Sequence, residues 1–168
     1  MAAVDENGGR PEGFQRVERE LQRLGHPRAP RFLDAAVRTS QQAADALGIE
    51  VGQIAKSVVF RRKADEMAVI VVASGDRRVD EKKVAQIVGP IGRADADFVK
   101  AKTGFTIGGV SPVAHASPVV TLIDRELFRF EEIWAAAGHP HGVFRLRPQD
   151  LERLTGAPVA DVVQAPAG

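Results

Sequence analysis

The segment IAKSVVFRRKADEMAVIVVA, residues 54–73, decides the fold of this chain. Residues 54–62 and 67–73 are rich in β-branched and other apolar residues, and a charged turn separates them, so together they predict a β-hairpin. The second run is apolar at every position, which is typical of a central strand that is covered on both faces. The segment therefore predicts a sheet with a buried centre.

Helices are predicted on both sides of this hairpin from apolar spacing and from capping residues. Thr39, followed by Gln42, is typical of a capping box, and Gly48 ends the same helix. Asp80 is the expected N-cap of a later helix, in which Ile87 is predicted to face inward. The predicted helices span residues 14–24, 39–47, 80–88, 95–102 and 148–155.

Short strands complete the predicted fold. They are expected near residues 31–35, 118–123, 133–137 and 143–146. Helices between and around short strands, with at least one hairpin, indicate an α/β protein of mixed α+β type with a mixed sheet. Six or seven strands of this kind can curl into a partial barrel.

Composition indicates one globular domain. The chain has 168 residues, of which 44% are hydrophobic and 27% are charged, and this length can bury a proper core. We expect a disordered leader at residues 1–13, a folded domain at 14–164 and a tail at 165–168. The absence of cysteine excludes disulfides, thiolate metal sites and a cysteine nucleophile. No apolar run is long enough to cross a membrane or to act as a signal peptide, so a cytoplasmic location is expected.

The net charge of +1 means that the whole surface is not a general polyanion binder. A nucleic acid would have to contact a local basic patch. Such patches are offered by residues 61–63, by Arg77 and Arg78 with residues 82–83, and by Lys100 with Lys102. Solvated surface charge is the simpler interpretation of each cluster taken alone.

Lys56 is the first candidate for chemistry. In an extended strand it shares a face with Ile54 and Val58, where its ammonium would lose water unless that face opens into a polar cleft. A lysine that only packs its stem and extends its head to water is the structural alternative. In a cleft, the ammonium suits a phosphate or a polarised carbonyl.

The loop TGFTIGGVSP, residues 103–112, is the second candidate. The adjacent Gly108 and Gly109 allow the backbone to approach a ligand closely, and successive amides in such a turn can bind a developing oxyanion. Pro112 fixes the direction in which the chain leaves the loop. An ordinary loop that enters the next strand is the alternative.

The turn SGDRRVD, residues 74–80, follows the central strand and is the third candidate. Either Arg77 or Arg78 can bind a phosphate there, although surface exposure explains them equally well. The four histidines match no metal-binding spacing, so no metal site is expected. No G-x-S-x-G elbow supports a hydrolase triad.

Four stretches in this order resemble the YbaK/EbsC family, which includes free-standing Cys-tRNA(Pro) deacylases and the editing insertion of bacterial prolyl-tRNA synthetases. They are TSQQAADALGIEVGQIAKSVVF at 39–60, SGDRRVDEKKVAQIVG at 74–89, TGFTIGGVSPVAH at 103–115 and LTGAPVADV at 154–162. Lys56 matches the signature lysine of that family, and Gly108 with Pro112 matches its G-x-x-x-P loop. The resemblance implies a strongly curved or barrel-like mixed sheet surrounded by helices.

It also implies a trans-editing hydrolase that deacylates mischarged aminoacyl-tRNA, with Cys- or Ala-tRNA(Pro) as the expected substrate. Such enzymes use no metal, no cofactor and no protein nucleophile. On this interpretation the catalytic residues are Lys56, Gly108, Gly109 and Val110. The expected substrate-binding residues are Phe32, Ser57, Val58, Ser74, Arg77, Arg78, Ser111, Pro112 and His141.

The expected partner is the acceptor end of aminoacyl-tRNA, and a prolyl-tRNA synthetase is a further candidate partner. The protein is expected to be a monomer or a weak homodimer. Two alternatives stay open at this point. One is a non-catalytic module of the same fold that binds tRNA or a synthetase, and the other is a hydrolase of small esters.

Overall fold

The first helix packs on the sheet and begins before the position that the sequence predicts. The computed structural model describes residues 9–166, so most of the predicted leader and the last two residues of the predicted tail lie outside the described residues. Helix α1 (Glu12–Arg23) includes residues 12–13, which the sequence assigned to the leader. Its buried side chains Phe14, Val17 and Leu21 join the main core.

Four further helices follow. The predicted N-caps Thr39 and Asp80 are confirmed, but the Gln42 side chain accepts from the Arg38 amide and does not complete the predicted capping box. The Thr39 hydroxyl accepts a hydrogen bond from the Gln42 amide at 3.1 Å, and Asp80 caps its helix through the amides of Lys82 and Lys83. The helices are α2 (Ser40–Leu47), α3 (Glu81–Val88), α4 (Ala96–Thr103) and α5 (Pro148–Thr155). Single turns of 3₁₀ helix lie at Val51–Gln53 and Arg125–Arg129.

One mixed sheet of eight strands forms the centre of the molecule, which confirms the predicted fold class. Its strand order is β1-β7-β6-β2-β3-β5-β8, and β4 pairs with β2 outside this path. The strands are β1 (Arg31–Phe32), β2 (Ile54–Arg62), β3 (Ala68–Ser74), β4 (Ile91–Arg93), β5 (Val120–Asp124), β6 (Ile133–Ala136), β7 (Gly142–Leu146) and β8 (Val159–Ala160).

Strand β3 is buried on both faces, as its apolar sequence predicts. Ile70 and Val72 pack against helices α1, α4 and α5, whereas Val69 and Val71 pack against helix α3. Each buried Val or Ile side chain contributes roughly 1.5–3 kcal/mol, against about 0–1 kcal/mol for an exposed ion pair. The packing of this strand therefore outweighs the surface ion pairs in holding the fold.

The outer edge of β2 is divided between two partner strands. Strand β6 pairs with residues 54–55, and strand β4 pairs with residues 60–62. The opposite edge pairs continuously with β3 in an antiparallel hairpin, in which Lys56 lies opposite Ala73. Residues 56–59 therefore lack a partner strand on one side, and the sheet opens at that point.

Two short strands and one helix face differ from the sequence prediction. Strands β4 and β8 raise the number of strands to eight, above the predicted six or seven. The prediction that Ile87 faces inward is wrong, because its side chain is half exposed. Apolar periodicity identifies the inner face of a helix, but not how far the sheet beneath that helix extends.

Candidate functional site

A cavity of about 420 Å³ lies where the edge of β2 is unpaired. Of the residues predicted for the site, Lys56, Ser57, Val58, Gly108 and Val110 line it. The Ser57 hydroxyl is shielded from solvent and has no hydrogen-bond partner within residues 9–166. The structure thus brings the IAKS strand and the glycine loop together around one cleft.

Further residues of this cleft were missed by the sequence analysis. They come from the start of helix α2, from the loop before Gly108, and from strands β6 and β7, which no local motif links to β2. They include Arg38, Thr39, Ala43, Ile107, Trp134 and Val143.

Lys56 is partly buried, and its ammonium has a defined partner. The Nζ atom donates a hydrogen bond to the Arg77 carbonyl oxygen at 2.6 Å. Burial lowers the pKa of Lys56, and the Asp76 carboxylate partly opposes that effect. The arrangement places a cation at the wall of a mainly apolar cleft, where its field is stronger than in water.

An ion-pair network supports the turn that holds Lys56. Arg129 donates to both Asp76 carboxylate oxygens, at 2.8 and 3.1 Å, and to the Ser74 hydroxyl at 2.9 Å. Arg77 pairs with Asp76 at 3.2 Å and with Glu126 at 3.5 Å. Hydrogen bonds from Arg129 are the main reason why the pKa of Asp76 lies below its usual value. The network fixes the backbone of the turn, in which the Arg77 carbonyl accepts the hydrogen bond from Lys56.

The sequence prediction missed Arg129. It lies in the 3₁₀ turn at Arg125–Arg129, and 53 positions separate it from Asp76. No local motif connects the two residues, so only the folded chain reveals the pair. The predicted residues Ser74 and Arg77 belong to this network and lie outside the cavity lining.

The two glycines of the loop have different structural roles. Gly108 has φ of +94°, a left-handed conformation that disfavours other residues. A Cβ atom on Gly109 would lie 2.8 Å from the His139 backbone, so that position requires the absence of a side chain. The Gly109 amide donates to the Thr106 carbonyl at 3.0 Å. The amide of Gly109 is therefore used within the turn, which does not fit the oxyanion role predicted for it.

Ser111 and Pro112 are buried and give the loop its shape. The Ser111 hydroxyl accepts from the Val113 amide at 3.1 Å, and its carbonyl accepts from Nε2 of His115 at 2.7 Å. Burial lowers the pKa of His115, which favours the neutral ring that donates from Nε2. Both Ser111 and Pro112 therefore lie behind the cleft rather than in its lining.

The remaining predicted binding residues lie outside the cavity lining. Phe32 stacks against His139 and His141, with ring centroids 5.3 and 5.0 Å away, and Arg10 lies over its ring. Nδ1 of His141 donates to the Leu33 carbonyl at 2.7 Å. Arg78 is exposed, and its carbonyl accepts from the Gln164 amide. The Phe32 and His141 side chains thus hold β1 in place, and the Arg78 backbone holds the chain at Gln164.

Residues 9–166 contain no group of three or more His, Cys, Asp or Glu side chains that could hold a metal ion. No helix within the same residues is long and apolar enough to span a membrane.

Known proteins are similar to this chain in both sequence and fold. The family model of the aminoacyl-tRNA editing domain matches residues 34–154. The uncharacterized protein YwhH of Bacillus subtilis (strain 168) is 34% identical over 118 residues, which are 70% of this chain and 74% of that protein. Proline–tRNA ligase of Thermoanaerobacter sp. (strain X514) is 30% identical over 95 residues, which are 54% of this chain but 16% of the ligase.

The solved structures agree with these sequence matches. A candidate trans-editing enzyme for prolyl tRNA synthetase superposes with a TM-score of 0.86 at 39% identity, covering 93% of this chain and 99% of that one. The hypothetical protein APE2540 gives a TM-score of 0.83 at 29% identity, covering 89% of this chain and 99% of that one. The matched residues include the whole β2–β3 hairpin and the glycine loop, and this chain belongs to the aminoacyl-tRNA editing domain family.

Proposed function

We propose that this protein hydrolyses the ester of mischarged aminoacyl-tRNA, with Cys- or Ala-tRNA(Pro) as the first substrates to test. The observation that carries the proposal is that Lys56, Gly108 and Val110 line one cavity of about 420 Å³. The relatives named as proline–tRNA ligases and as a candidate trans-editing enzyme support the choice of tRNA(Pro). The acceptor end of the tRNA is the part that would enter the cleft.

An aminoacyl ester is already activated, so positioning and stabilisation of negative charge account for most of the catalysis needed. In the proposed reaction a nucleophile adds to the ester carbonyl carbon, and the carbonyl oxygen becomes an oxyanion. The amides of Gly108 and Val110 would donate to that oxygen, and Lys56 would hold the adjacent phosphate or ester oxygen. The bond to the ribose oxygen then breaks, and that oxygen takes up the proton released by the nucleophile.

Water, the neighbouring ribose hydroxyl and, for cysteine, the substrate thiol are the nucleophiles to distinguish. Attack by the thiol would release a cyclic thiolactone, and attack by water releases the free amino acid. Attack by the ribose hydroxyl moves the acyl group to that oxygen, from which water must then release it. The same cavity would also select the substrate by size. The correct amino acid of the tRNA would be too large to enter, so that only the wrong amino acid is removed, as in double-sieve editing.

A deacylation panel with Lys56 variants tests the proposal. Purified protein would be assayed against Cys-, Ala-, Ser- and Thr-tRNAs, including mischarged tRNA(Pro). We expect Lys56→Ala to reduce kcat/KM for the best substrate by at least about a hundredfold, as is typical when an electrostatic stabiliser is removed. Arg19→Ala is the control, because Arg19 is an exposed cation on helix α1 that lies outside the cavity lining and outside the three basic patches.

Circular dichroism must show that Lys56→Ala still folds. Full activity of this variant on every substrate of the parent would contradict the proposal. If the parent protein bound these tRNAs but hydrolysed none of them, a non-catalytic binding module would replace the enzyme. Turnover of simple esters without any tRNA requirement would instead indicate a small-molecule hydrolase.

A further inference from the structure

The unpaired edge of β2 presents backbone hydrogen-bonding groups to the cavity. Strand β6 leaves β2 after residue 55, and β4 joins it only at residue 60. The intervening residues 56–59 all line the cavity. Partly buried backbone groups need partners, so a ligand in this cleft can take the place of the missing strand.

The direction of these backbone groups follows from the hydrogen bonds at both ends of the strand. The Ile54 carbonyl accepts from the Gly75 amide at 2.8 Å, and the Arg62 amide donates to the Met67 carbonyl at 2.9 Å, so even-numbered residues point toward β3. On the other edge, the Lys63 amide donates to the Pro90 carbonyl at 2.9 Å. Because the pattern alternates along a strand, Ser57 and Val59 point toward the cavity.

The Ser57 carbonyl and the Val59 amide are the adjacent acceptor and donor of this edge. Neither residue is registered with a residue of β4 or β6, and within residues 9–166 no side chain bonds to either group. A carbonyl at one residue and an amide two positions later point the same way and lie side by side. This pair suits a flat ligand that carries a donor next to an acceptor.

We propose that this pair binds the adenine of the 3′-terminal adenosine of the tRNA, an inference that rests on the function proposed above. The Ser57 carbonyl accepts from the N6 amino group of adenine, and the Val59 amide donates to N1. Hypoxanthine presents the opposite pattern, with an acceptor at position 6 and a donor at N1, and is excluded. The ring faces meet the apolar side chains of Ala94, Val99 and Ile107, which line the same cavity.

The experiment changes the ligand rather than the backbone, since a proline in β2 would endanger the fold. Alanyl-tRNA(Pro) is prepared with adenosine, 7-deazaadenosine, purine riboside or inosine at the 3′ end, and deacylation by the parent protein is measured. We expect 7-deazaadenosine, which keeps N1 and N6, to stay within about twofold of adenosine. Purine riboside, which lacks the amino group, should lower kcat/KM about tenfold, and inosine should lower it at least about a hundredfold.

Equal rates for all four substrates would overturn the adenine site while leaving the deacylase intact. A second measurement does not depend on turnover: AMP and IMP are titrated separately into ¹⁵N-labelled protein. The Val59 amide resonance should shift with AMP and stay unchanged with IMP. Failure of the Val59 signal to distinguish the two nucleotides would also overturn the inference, even if the protein hydrolysed no aminoacyl-tRNA.

Discussion

The two walls of the cleft are built by different physical means. The Lys56 wall is a central strand, registered with β3 from residue 55 to residue 61 and supported at its base by the Asp76–Arg129 pair. The opposite wall is the loop around Gly108, which has one internal turn bond from the Gly109 amide to the Thr106 carbonyl. Close contact with the backbone of His139 gives that loop its position.

We therefore expect the strand wall to act mainly through the charge of Lys56 and the loop wall mainly through its shape. On the strand wall, the hydrogen-bonded hairpin holds the backbone, so a change of a charged side chain should alter the electrostatics of Lys56 and leave the fold in place. On the loop wall, contact between backbones sets the shape, so one added carbon atom should displace the groups that face the substrate.

The largest effect is expected from Gly109→Ala on the loop wall. The new Cβ atom would lie 2.8–2.9 Å from three backbone atoms of His139, and backbone cannot move aside as a flexible side chain can. Overpacking of this kind costs roughly 1–3 kcal/mol in the free energy of unfolding. Because the loop carries the Gly108 and Val110 amides, we also expect deacylation to fall at least about a hundredfold. Chemical denaturation and single-turnover deacylation measure the two effects.

Gly108→Ala is the matched comparison for this prediction. A Cβ atom there has its nearest neighbours at 3.6 Å, so the cost is limited to the positive φ, about 1 kcal/mol. If Gly109→Ala proved as stable and as active as the parent, the steric account of the loop wall would be wrong.

A smaller effect is expected from Arg129→Gln behind the strand wall. Arg129 is a positioning residue, because its guanidinium does not contact Lys56 but reaches Asp76 and Ser74, which lie in the turn whose Arg77 carbonyl accepts from Lys56. Glutamine cannot reproduce the paired hydrogen bonds, so the turn should loosen and kcat should fall about tenfold while KM changes little. Steady-state kinetics with a circular dichroism spectrum test this.

Arg125→Gln is the control for that variant, since Arg125 lies in the same 3₁₀ turn but pairs with the remote Asp161 at 3.4 Å. Arg129→Lys should restore part of the lost kcat because it returns the charge. Equal kinetics for Arg125→Gln and Arg129→Gln would remove Arg129 from the account of the site.

The same contrast explains how far the sequence predicted the structure. The hairpin and the helix caps at Thr39 and Asp80 were predicted correctly, because strand alternation and capping act over a few neighbouring residues. Strands β4 and β8 have three and two residues, too few to show periodicity, and were missed. The sequence predicted the cleft residues on β2 and the loop, but it also placed Phe32 and His141 there.

Long-range contacts account for what the sequence could not predict about the site. The stacking of Phe32 on His139 and His141 joins β1 to the turn before β7, more than a hundred residues later. The amide of Gly109 is part of a turn whose geometry no composition rule gives. Lys56 became a candidate through its place on a strand and the family resemblance, whereas Arg129 could be found only from the fold.

The smallest effect is expected from Asp76→Asn, which changes charge while keeping size. Arg129 lowers the pKa of Asp76, so Asp76 stays ionised as pH falls and its negative charge favours the protonated form of Lys56. Burial alone lowers the pKa of Lys56, and removal of the carboxylate leaves that effect unopposed. The pKa of Lys56 should therefore fall further in the variant. If deacylation requires the ammonium, the alkaline limb of the pH–rate profile moves to lower pH.

Deacylation rates between about pH 6 and pH 9, corrected for spontaneous ester hydrolysis, measure the position of that limb. Asp161→Asn is the matched control, because Asp161 is also paired, to Lys83 and Arg125, yet it does not contribute to the pKa of Lys56. A limb that stayed in place in Asp76→Asn would show that Lys56 acts without titrating in this range. A limb that moved to higher pH would have the wrong sign for any role of the Asp76 charge. A shift to lower pH in Asp76→Asn alone would show that the strand wall acts through charge, because the hairpin that holds its backbone is unchanged.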